Sequence, residues 1–168
     1  MGEAKVRRAV PGDEDEISRL RDLMASTLFG PVEEGPWTVE TRARLRRWFA
    51  DPDADTAAFV VDAPDGAGLA ASVIGVIFER LPGKSNRSGL CGYVYGVSTD
   101  ERWRRRGYSR RAMQALLDWY AERGVTRIDL HASEFGEGLY RDLGFVDCNG
   151  AALVLTRRTG HMSESAGS

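Results

Sequence analysis

The sequence predicts an α+β (mixed α/β) fold, with a single central, mostly antiparallel mixed sheet that is flanked by helices. Three observations support it: two helical periodicities come first, three strand-like segments follow, and a strand, a helix and another strand come next. The chain has 168 residues, of which 42% are hydrophobic and 29% charged, as in one globular domain. We therefore expect one domain over residues 1–157 and a flexible C-terminal tail over residues 158–168.

The first part of the chain predicts a short strand and two helices. Residues 5–10 fit an opening strand that a Pro-Gly turn ends. Asp13 and Glu16 resemble a capping box, and the apolar residues that follow, from 17 to 28, have helical spacing. Thr38 is the expected N-cap of the second helix. The buried stripe of that helix should contain Leu45, Trp48 and Phe49.

The middle of the chain predicts three strands that pair as an antiparallel meander. Residues 56–62, 70–79 and 90–98 are rich in β-branched and aromatic side chains, and turn-forming stretches separate them. Gly96, inside the third segment, indicates a β-bulge or a close backbone approach.

The next part predicts a helix over residues 109–122 and a strand over residues 126–133. A strand, a helix and another strand in this order require a crossover connection, which predicts a parallel strand pair. The remaining expectations are a helix C-cap at Gly124, a short helix over residues 137–143 ended by Gly144, and closing strands at Phe145 and residues 151–156.

Composition and charge exclude several classes of protein. The net charge is −2, so nothing global favours nucleic acid or an anionic membrane. Two cysteines are too few for a disulfide framework, and no apolar run reaches the roughly 18 residues of a membrane span. The start of the chain lacks a signal-peptide core, and no His/Cys cluster has metal-ligand spacing. We expect a cytoplasmic protein that binds no metal, nucleic acid or membrane.

The segment over residues 97–111, VSTDERWRRRGYSRR, carries the strongest chemical signal. It joins a strand to a helix through a basic loop that contains Gly107. The N-terminus of a helix offers unpaired N–H groups and a partial positive charge, and glycine permits close backbone approach, so the loop suits a diphosphate. An arginine run is also typical of a solvated basic turn. The glycine spacing excludes a P-loop and a dinucleotide fingerprint.

This loop resembles the acyl-CoA-binding motif of the GNAT acetyltransferase superfamily, Arg/Gln-x-x-Gly-x-Gly/Ala. The matching residues are RRRGYS at 104–109, with Ser109 where the family usually carries glycine or alanine. Residues 93–99 resemble the family's splayed, bulged fourth strand, which forms a parallel pair with the fifth. Residues 139–145 resemble its Leu-Tyr-x-x-Leu-Gly-Phe motif.

The resemblance implies acetyl-CoA as the co-substrate. Backbone groups of Val97 and Thr99 would pair with the pantetheine arm, and the N–H groups of residues 105–110 would hold the pyrophosphate. The arginine side chains would reach outward, some of them towards the 3′-phosphate. Ser133 stands where many family members carry an asparagine that contacts the arm. The expected acetyl-CoA-binding residues are Val97, Ser98, Thr99, Arg104, Arg105, Arg106, Gly107, Tyr108, Ser109, Arg110 and Ser133.

Tyr140 is the expected catalytic residue, because the family uses a tyrosine in this motif to protonate the departing CoA thiolate. A phenol with a pKa near 10 carries its proton at neutral pH. A packing role on a short helix is the alternative. The base that deprotonates the amine stays open between Glu79, Tyr93, Tyr95, Asp129, His131, Glu134 and a water chain.

The resemblance implies an N-acetyltransferase, in which a primary amine attacks acetyl-CoA directly in a ternary complex. A small-molecule acceptor is expected, and its identity is not readable from the residues. The alternatives are acetylation of a protein N-terminus or lysine, and an acyl-CoA-binding sensor without catalysis. Family members are often dimers, so a homodimer is a further expectation.

Overall fold

The structure, a computed structural model, describes residues 4–150 and 152–157. The chain divides into two compact units, Met1–Ser133 and Glu134–Ser168. The elements in chain order are β1 (Val6–Arg8), α1 (Glu14–Phe29), α2 (Pro36–Ala50), β2 (Thr56–Asp62), β3 (Leu69–Glu79), β4 (Leu90–Thr99), a 3₁₀ turn (Glu101–Trp103), α3 (Tyr108–Glu122), β5 (Arg127–Leu130) and α4 (Glu137–Asp142).

The first unit is built on one mixed sheet of five strands in the order β1-β2-β3-β4-β5. Neighbouring strands are antiparallel except β4 and β5, which are parallel. Helix α3 lies between β4 and β5 in the sequence and supplies the crossover that a parallel pair needs. The predicted α+β fold, its meander and its parallel pair are therefore confirmed. Among the described helices, none is long and apolar enough to span a membrane.

Strand β4 contains a β-bulge at the place where Gly96 predicted one. Ile74 of β3 pairs with Gly96, whereas the next residue, Gly75, pairs with Val94. Tyr95 is therefore the extra residue of β4. A bulge changes the local twist and the direction of a strand, so β4 bends at this point.

The helices cover the sheet on two faces. Helices α1 and α2 pack on one face, where Ile17, Leu20 and Phe49 are buried against Val60 of β2. Helix α3 packs on the other face with the fully buried side chains of Ala112, Met113, Leu116 and Tyr120. The predicted stripe of α2 is confirmed in that Leu45 and Phe49 are buried and Trp48 packs against the same cluster.

The predicted capping box at α1 is wrong. Asp13 precedes the helix, but its carboxylate bonds no helical N–H and instead pairs with Arg7 at 2.8 Å. Glu16 accepts a hydrogen bond from the N–H of Leu69 at 2.9 Å and pairs with Arg19. Asp13 is used by Arg7 of β1. Glu16 is used by Arg19 and by Leu69, which lies 53 residues away, so neither carboxylate caps the helix.

The predicted N-cap of α2 is also wrong. The helix already begins at Pro36, after Gly35, and Thr38 lies in its first turn. The Thr38 hydroxyl accepts a hydrogen bond from the N–H of Gly35 at 3.3 Å, so it stabilises the start of the helix from inside. A proline at the first helical position costs no hydrogen bond, which explains the earlier start.

The second unit contains the predicted short helix, α4, and Gly144 follows it with a φ of 96°. The closing strands are wrong, because Phe145 and residues 152–157 form no strand. Strand-like composition predicts that a segment is able to pair, but tertiary context decides whether it does. Residue 151 and the expected tail over residues 158–168 lie outside the described residues.

We expect Gly75→Ala to destabilise the protein by about 1–3 kcal/mol, through overpacking and the loss of a buried hydrogen bond. The Tyr120 hydroxyl donates to the carbonyls of Tyr93 at 2.8 Å and Val76 at 3.2 Å. A methyl group at Gly75 would collide with that hydroxyl and lie 2.8 Å from a Leu116 methyl. Urea unfolding measures the loss.

The matched control for Gly75→Ala is Gly96→Ala, in the neighbouring strand. A methyl group there meets no atom within 4 Å. We expect the urea midpoint of Gly96→Ala to stay near that of the wild type. Equal destabilisation by both changes would contradict the packing account.

Candidate functional site

Strand β4 loses its partner halfway along its length. The parallel pairing with β5 runs only from Cys91–Arg127 to Val94–Leu130. After the bulge, β4 continues to Thr99 against β3 alone. In the part of the chain that the structure describes, no strand covers the other edge of this second half. β4 and β5 are therefore splayed as the resemblance implied.

The register identifies which residues expose their backbone at this edge. The N–H of Asp100 donates to the carbonyl of Ala70 at 2.9 Å, across the end of the β3–β4 ladder. Hydrogen-bonded pairs alternate along an antiparallel ladder, so Ser98 directs its N–H and C=O groups to β3. Val97 and Thr99 direct theirs to the open edge. These are the two residues expected to pair with an extended, amide-bearing ligand.

Helix α3 begins close in sequence to this edge and has an unusual N-terminus. Gly107 is the N-cap with a φ of 77°, and no side chain caps the helix. Arg105, two residues earlier, has a φ of 59° and is the one non-glycine with positive φ among the described residues. Alternating left-handed residues turn successive N–H groups to one side, which creates an anion-binding concavity. Backbone strain of this kind is concentrated at functional sites.

A hydrogen bond between two hydroxyls joins the open edge to this helix. Thr99, the last residue of β4, and Ser109, in the first turn of α3, share it. The open edge and the N-terminus of α3 are thereby held together, so one extended ligand with an anionic end can contact both. Ser109, which departs from the family's small residue, has this structural role.

The arginines of the basic loop differ in their surroundings. Arg104 lies 3.5 Å from Glu101, and the Arg106 guanidinium lies 5.0 Å from the centroid of the Trp103 ring. Arg105 has no ion pair or side-chain hydrogen bond within the described residues. Tyr108 is half-buried and Arg110 is exposed at the start of α3. Arg105 is therefore the cation most available to an incoming phosphate.

Asp100 holds the start of the loop in place. Its buried carboxylate accepts hydrogen bonds from the N–H of Arg102 at 3.0 Å and from the Arg19 guanidinium at 2.8 Å. The hydrogen bond from the Arg102 side chain is the largest cause that lowers the pKa of Asp100 to about 2. The sequence analysis missed this residue, although an aspartate at a strand end before a turn is an N-cap signal.

We expect Asp100→Asn to lower stability at neutral pH and to flatten the acid limb of the stability curve. The pKa of Asp100 is lower in the folded protein, at about 2, than the usual value of about 4 in an unfolded chain. Its stabilisation is therefore complete above pH ~4 and is lost as the pH falls towards ~2. Urea unfolding at pH values between ~4 and ~2 should show that the free energies of unfolding of the wild type and the variant become equal as the pH falls. Asp118→Asn changes the same charge at an exposed position, and an equal convergence there would contradict the account.

Several candidate bases lie together on the α1/α2 face of the sheet. A Cβ at Gly92 would meet the Tyr120 ring of α3, so its neighbour Tyr93 points to the opposite face. Asp129 pairs with Tyr93 across the parallel ladder and shares that face. The Tyr93 hydroxyl lies 2.6 Å from Nδ1 of His131. Burial, followed by the charges of Tyr95 and Asp129, raises the pKa of Tyr93.

The other candidate bases lie elsewhere. Glu79 ends β3 opposite Leu90, is exposed, and alternates onto the α3 face. Glu134 belongs to the second unit, and Ser133 is the half-buried last residue of the first, beyond the end of β5. The structure thus groups Tyr93, Tyr95, Asp129 and His131 and leaves Glu79 apart.

Tyr140 lies on α4 in the second unit. Its ring packs edge-on against Phe145, with centroids 6.1 Å apart, and covers Gly136, where a Cβ would lie 2.9 Å from the ring. Burial raises the pKa of Tyr140. The phenol is therefore protonated throughout the neutral range, as a proton donor must be.

A small open cleft lies on the α1 face beside the bulge. Its walls include Ile17, Arg21 and Met24 of α1, Ile74 of β3, and Tyr95 and Gly96 of β4. Sequence reasoning missed the α1 residues, because helical spacing marks them only as the inner stripe of a helix. Within the described ranges, no group of His, Cys, Asp or Glu side chains is placed to hold a metal ion.

The structure is similar to solved acetyltransferases. A predicted acetyltransferase from Clostridium acetobutylicum, solved with acetyl-CoA, has a TM-score of 0.77 at 18% identity, over 91% of this chain and 96% of that one. Glucosamine-6-phosphate N-acetyltransferase from Arabidopsis thaliana has a TM-score of 0.72 at 16% identity, over 95% and 100%. An aminoglycoside acetyltransferase from an uncultured soil metagenomic sample has a TM-score of 0.68 at 14% identity, over 92% and 96%.

Fold and site geometry define a class of α+β proteins with a splayed parallel strand pair and an anion-binding helix start. The acetyltransferase (GNAT) family's sequence profile matches residues 18–145. The chain therefore belongs to the GNAT acetyltransferase family, which supports an acyltransferase activity. A search of curated proteins finds no significant match.

Proposed function

We propose that this protein is an N-acetyltransferase that moves the acetyl group of acetyl-CoA to a primary amine of a small molecule. The observation that carries the proposal is the continuous path from the open edge at Val97 and Thr99 to the N-terminus of α3 at Gly107. Pantetheine has two amides that match an open strand edge, and a diphosphate matches a free helix start.

Acetyl-CoA would bind along this path. Val97 and Thr99 would hydrogen-bond the pantetheine arm, and the N–H groups of residues 105–110 would hold the pyrophosphate. Arg105, exposed and without an ion pair in the described chain, is the best placed to reach the 3′-phosphate. The similar structure from Clostridium acetobutylicum, solved with acetyl-CoA, supports the same co-substrate here.

The transfer would proceed by direct attack of the amine on the thioester in a ternary complex. Tyr140 would donate its proton to the departing thiolate, and residues 1–157 would act as one catalytic domain. Ser133 would contact the arm. The raised pKa of Tyr140 supports its role, since a phenolate could not donate.

A small-molecule acceptor is supported by the names of two similar proteins, which act on glucosamine 6-phosphate and on aminoglycosides. The open cleft between α1 and the bulge offers such a ligand one place to bind. A cytoplasmic location and a homodimer remain predictions.

A thiol-release assay tests the proposal. Each reaction contains the protein, acetyl-CoA and one amine. The amines are spermidine, glycine, glucosamine 6-phosphate, kanamycin and a lysine-containing peptide. Thiol release that depends on one of the small amines is the expected result. Release with the peptide alone would indicate a protein acceptor instead, and acetyl-CoA binding without any release would favour a sensor.

A further inference from the structure

The point where β4 and β5 begin to separate, here called the closure, marks where the thioester end of a bound pantetheine arm would lie. This inference rests on the proposed function. A pantetheine arm anchored at the start of α3 would run along β4 from Thr99 to Val97. It would end before the pair Val94–Leu130, because β5 occupies the edge of β4 from that point on. His131 directly follows Leu130, so it lies at this closure.

Tyr93 and His131 meet at the same point. The Tyr93 hydroxyl and Nδ1 of His131 are 2.6 Å apart, a short and strong hydrogen bond. Tyr93 is half-buried and His131 is exposed, so the pair extends from the face of the sheet beside the closure to solvent. Burial raises the pKa of Tyr93, so its hydroxyl keeps its proton, and it donates that proton to Nδ1 in the tautomer in which His131 carries its own proton on Nε2.

We propose that Tyr93 and His131 form a proton relay that deprotonates the acceptor ammonium before it attacks the thioester. The ammonium proton moves to the Tyr93 oxygen while the Tyr93 proton moves to Nδ1 of His131. Tyr93 ends unchanged, the ammonium becomes an amine, and His131 carries one positive charge. His131 then releases the proton to water, which accounts for the one proton that acetylation of an ammonium liberates.

The surroundings favour this pair over the other candidates. Tyr95 of β4 packs edge-on against Tyr93, with ring centroids 5.6 Å apart. Asp129 of β5 shares the face but forms an ion pair with Arg127 at 3.1 Å. Arg21 of α1 lines the cleft beside Tyr95. Among these described groups, Tyr93 and His131 are joined to each other by a short hydrogen bond, whereas Asp129 is engaged by Arg127.

The kinetic test uses whichever amine of the thiol-release panel reacts fastest. Tyr93→Phe and His131→Gln should each lower kcat at pH 7 by about 100-fold or more, the usual contribution of a general base. The deficit should shrink as the pH approaches ~10, where the amine loses its proton without help. The double variant should be no slower than the slower single variant, because the two residues act as one unit.

Glu79→Gln is the matched control, since it removes a candidate base on the other face. Its pH profile should equal that of the wild type, and calorimetry should show wild-type CoA affinity for every variant. Three results would overturn the relay. The first is a loss of kcat that does not depend on pH, and the second is a loss in the double variant equal to the product of the two single losses. The third is full activity of Tyr93→Phe. If the wild type releases no thiol with any amine, the proposed function itself fails.

A second readout needs no acceptor. The chain has two histidines, His131 and His161, so nitrogen-15 NMR of the ring nitrogens is readily assigned with His131→Gln. Tyr93→Phe should move the Nδ1 resonance of His131, because that nitrogen loses its donor. An unchanged resonance in the folded variant would overturn the pairing.

Discussion

Gly107→Val should weaken CoA binding by about 100-fold or more, which corresponds to about 2.7 kcal/mol. Gly107 is the N-cap of α3 and has a φ of 77°, a conformation that β-branched residues rarely adopt. A Cβ here meets no atom within 4 Å, so the substitution does not overpack the protein itself. The added side chain would instead occupy the space in front of the N–H groups that we propose hold the pyrophosphate. Calorimetric titration with CoA measures the loss.

Gly124→Val is the matched control at the other end of the same helix. Gly124 has a φ of 74° and equally open surroundings, so the backbone strain is the same. Both variants should lose similar stability, of the order of 1–2 kcal/mol. Only Gly107→Val should lose CoA affinity. Equal CoA affinities of the two variants would mean that the loop is not the phosphate site.

Tyr140→Phe should lower kcat by about 100-fold or more while CoA affinity stays unchanged, as expected for the loss of a general acid. Burial raises the pKa of Tyr140, so the hydroxyl carries its proton throughout the neutral range. Phenylalanine retains the ring that packs on Phe145 and Gly136. Steady-state kinetics combined with CoA titration separates turnover from binding.

The comparison variant is Tyr120→Phe, which removes a hydroxyl with a structural role. The Tyr120 hydroxyl bonds two strand carbonyls on the α3 face, so its loss should reduce stability by about 1–3 kcal/mol. We expect Tyr140→Phe to lose turnover without stability and Tyr120→Phe to do the reverse. Unchanged turnover in Tyr140→Phe would remove Tyr140 from the mechanism.

Most of the fold was predictable, because it depends on patterns within short segments. The strand-like runs predicted β2, β3 and β4 to within one residue, and Gly96 predicted the bulge at Tyr95. Errors arose where a side chain bonds a partner outside its own helix, as when Asp13 pairs with Arg7 of β1 and Glu16 bonds Leu69 of β3. The prediction of closing strands failed because strand-like composition alone does not decide whether a segment pairs.

In the candidate site, too, features within one short segment were predictable and contacts between distant segments were not. The basic loop and Gly107 were predictable, because a strand end, a glycine and a helix start follow one another directly. The pairing of Tyr93 with His131 joins residues 38 positions apart, and only the register of β4 and β5 brings them together. Asp100 was missed although its contact with Arg102 is local, whereas its second partner, Arg19, lies on α1 and is not indicated by the local pattern. Acceptor specificity depends on such distant combinations, which explains why the sequence does not reveal it.

Calorimetric titration of acetyl-CoA into the purified protein tests the central claim most directly. The claim is that the open edge of β4 and the N-terminus of α3 form one acyl-CoA site. We expect one molecule bound per chain with micromolar affinity, similar binding of CoA, and weaker binding at higher salt because the ligand is anionic. Absence of binding at millimolar acetyl-CoA would contradict the assignment of residues 97–111 and the proposed function that depends on it.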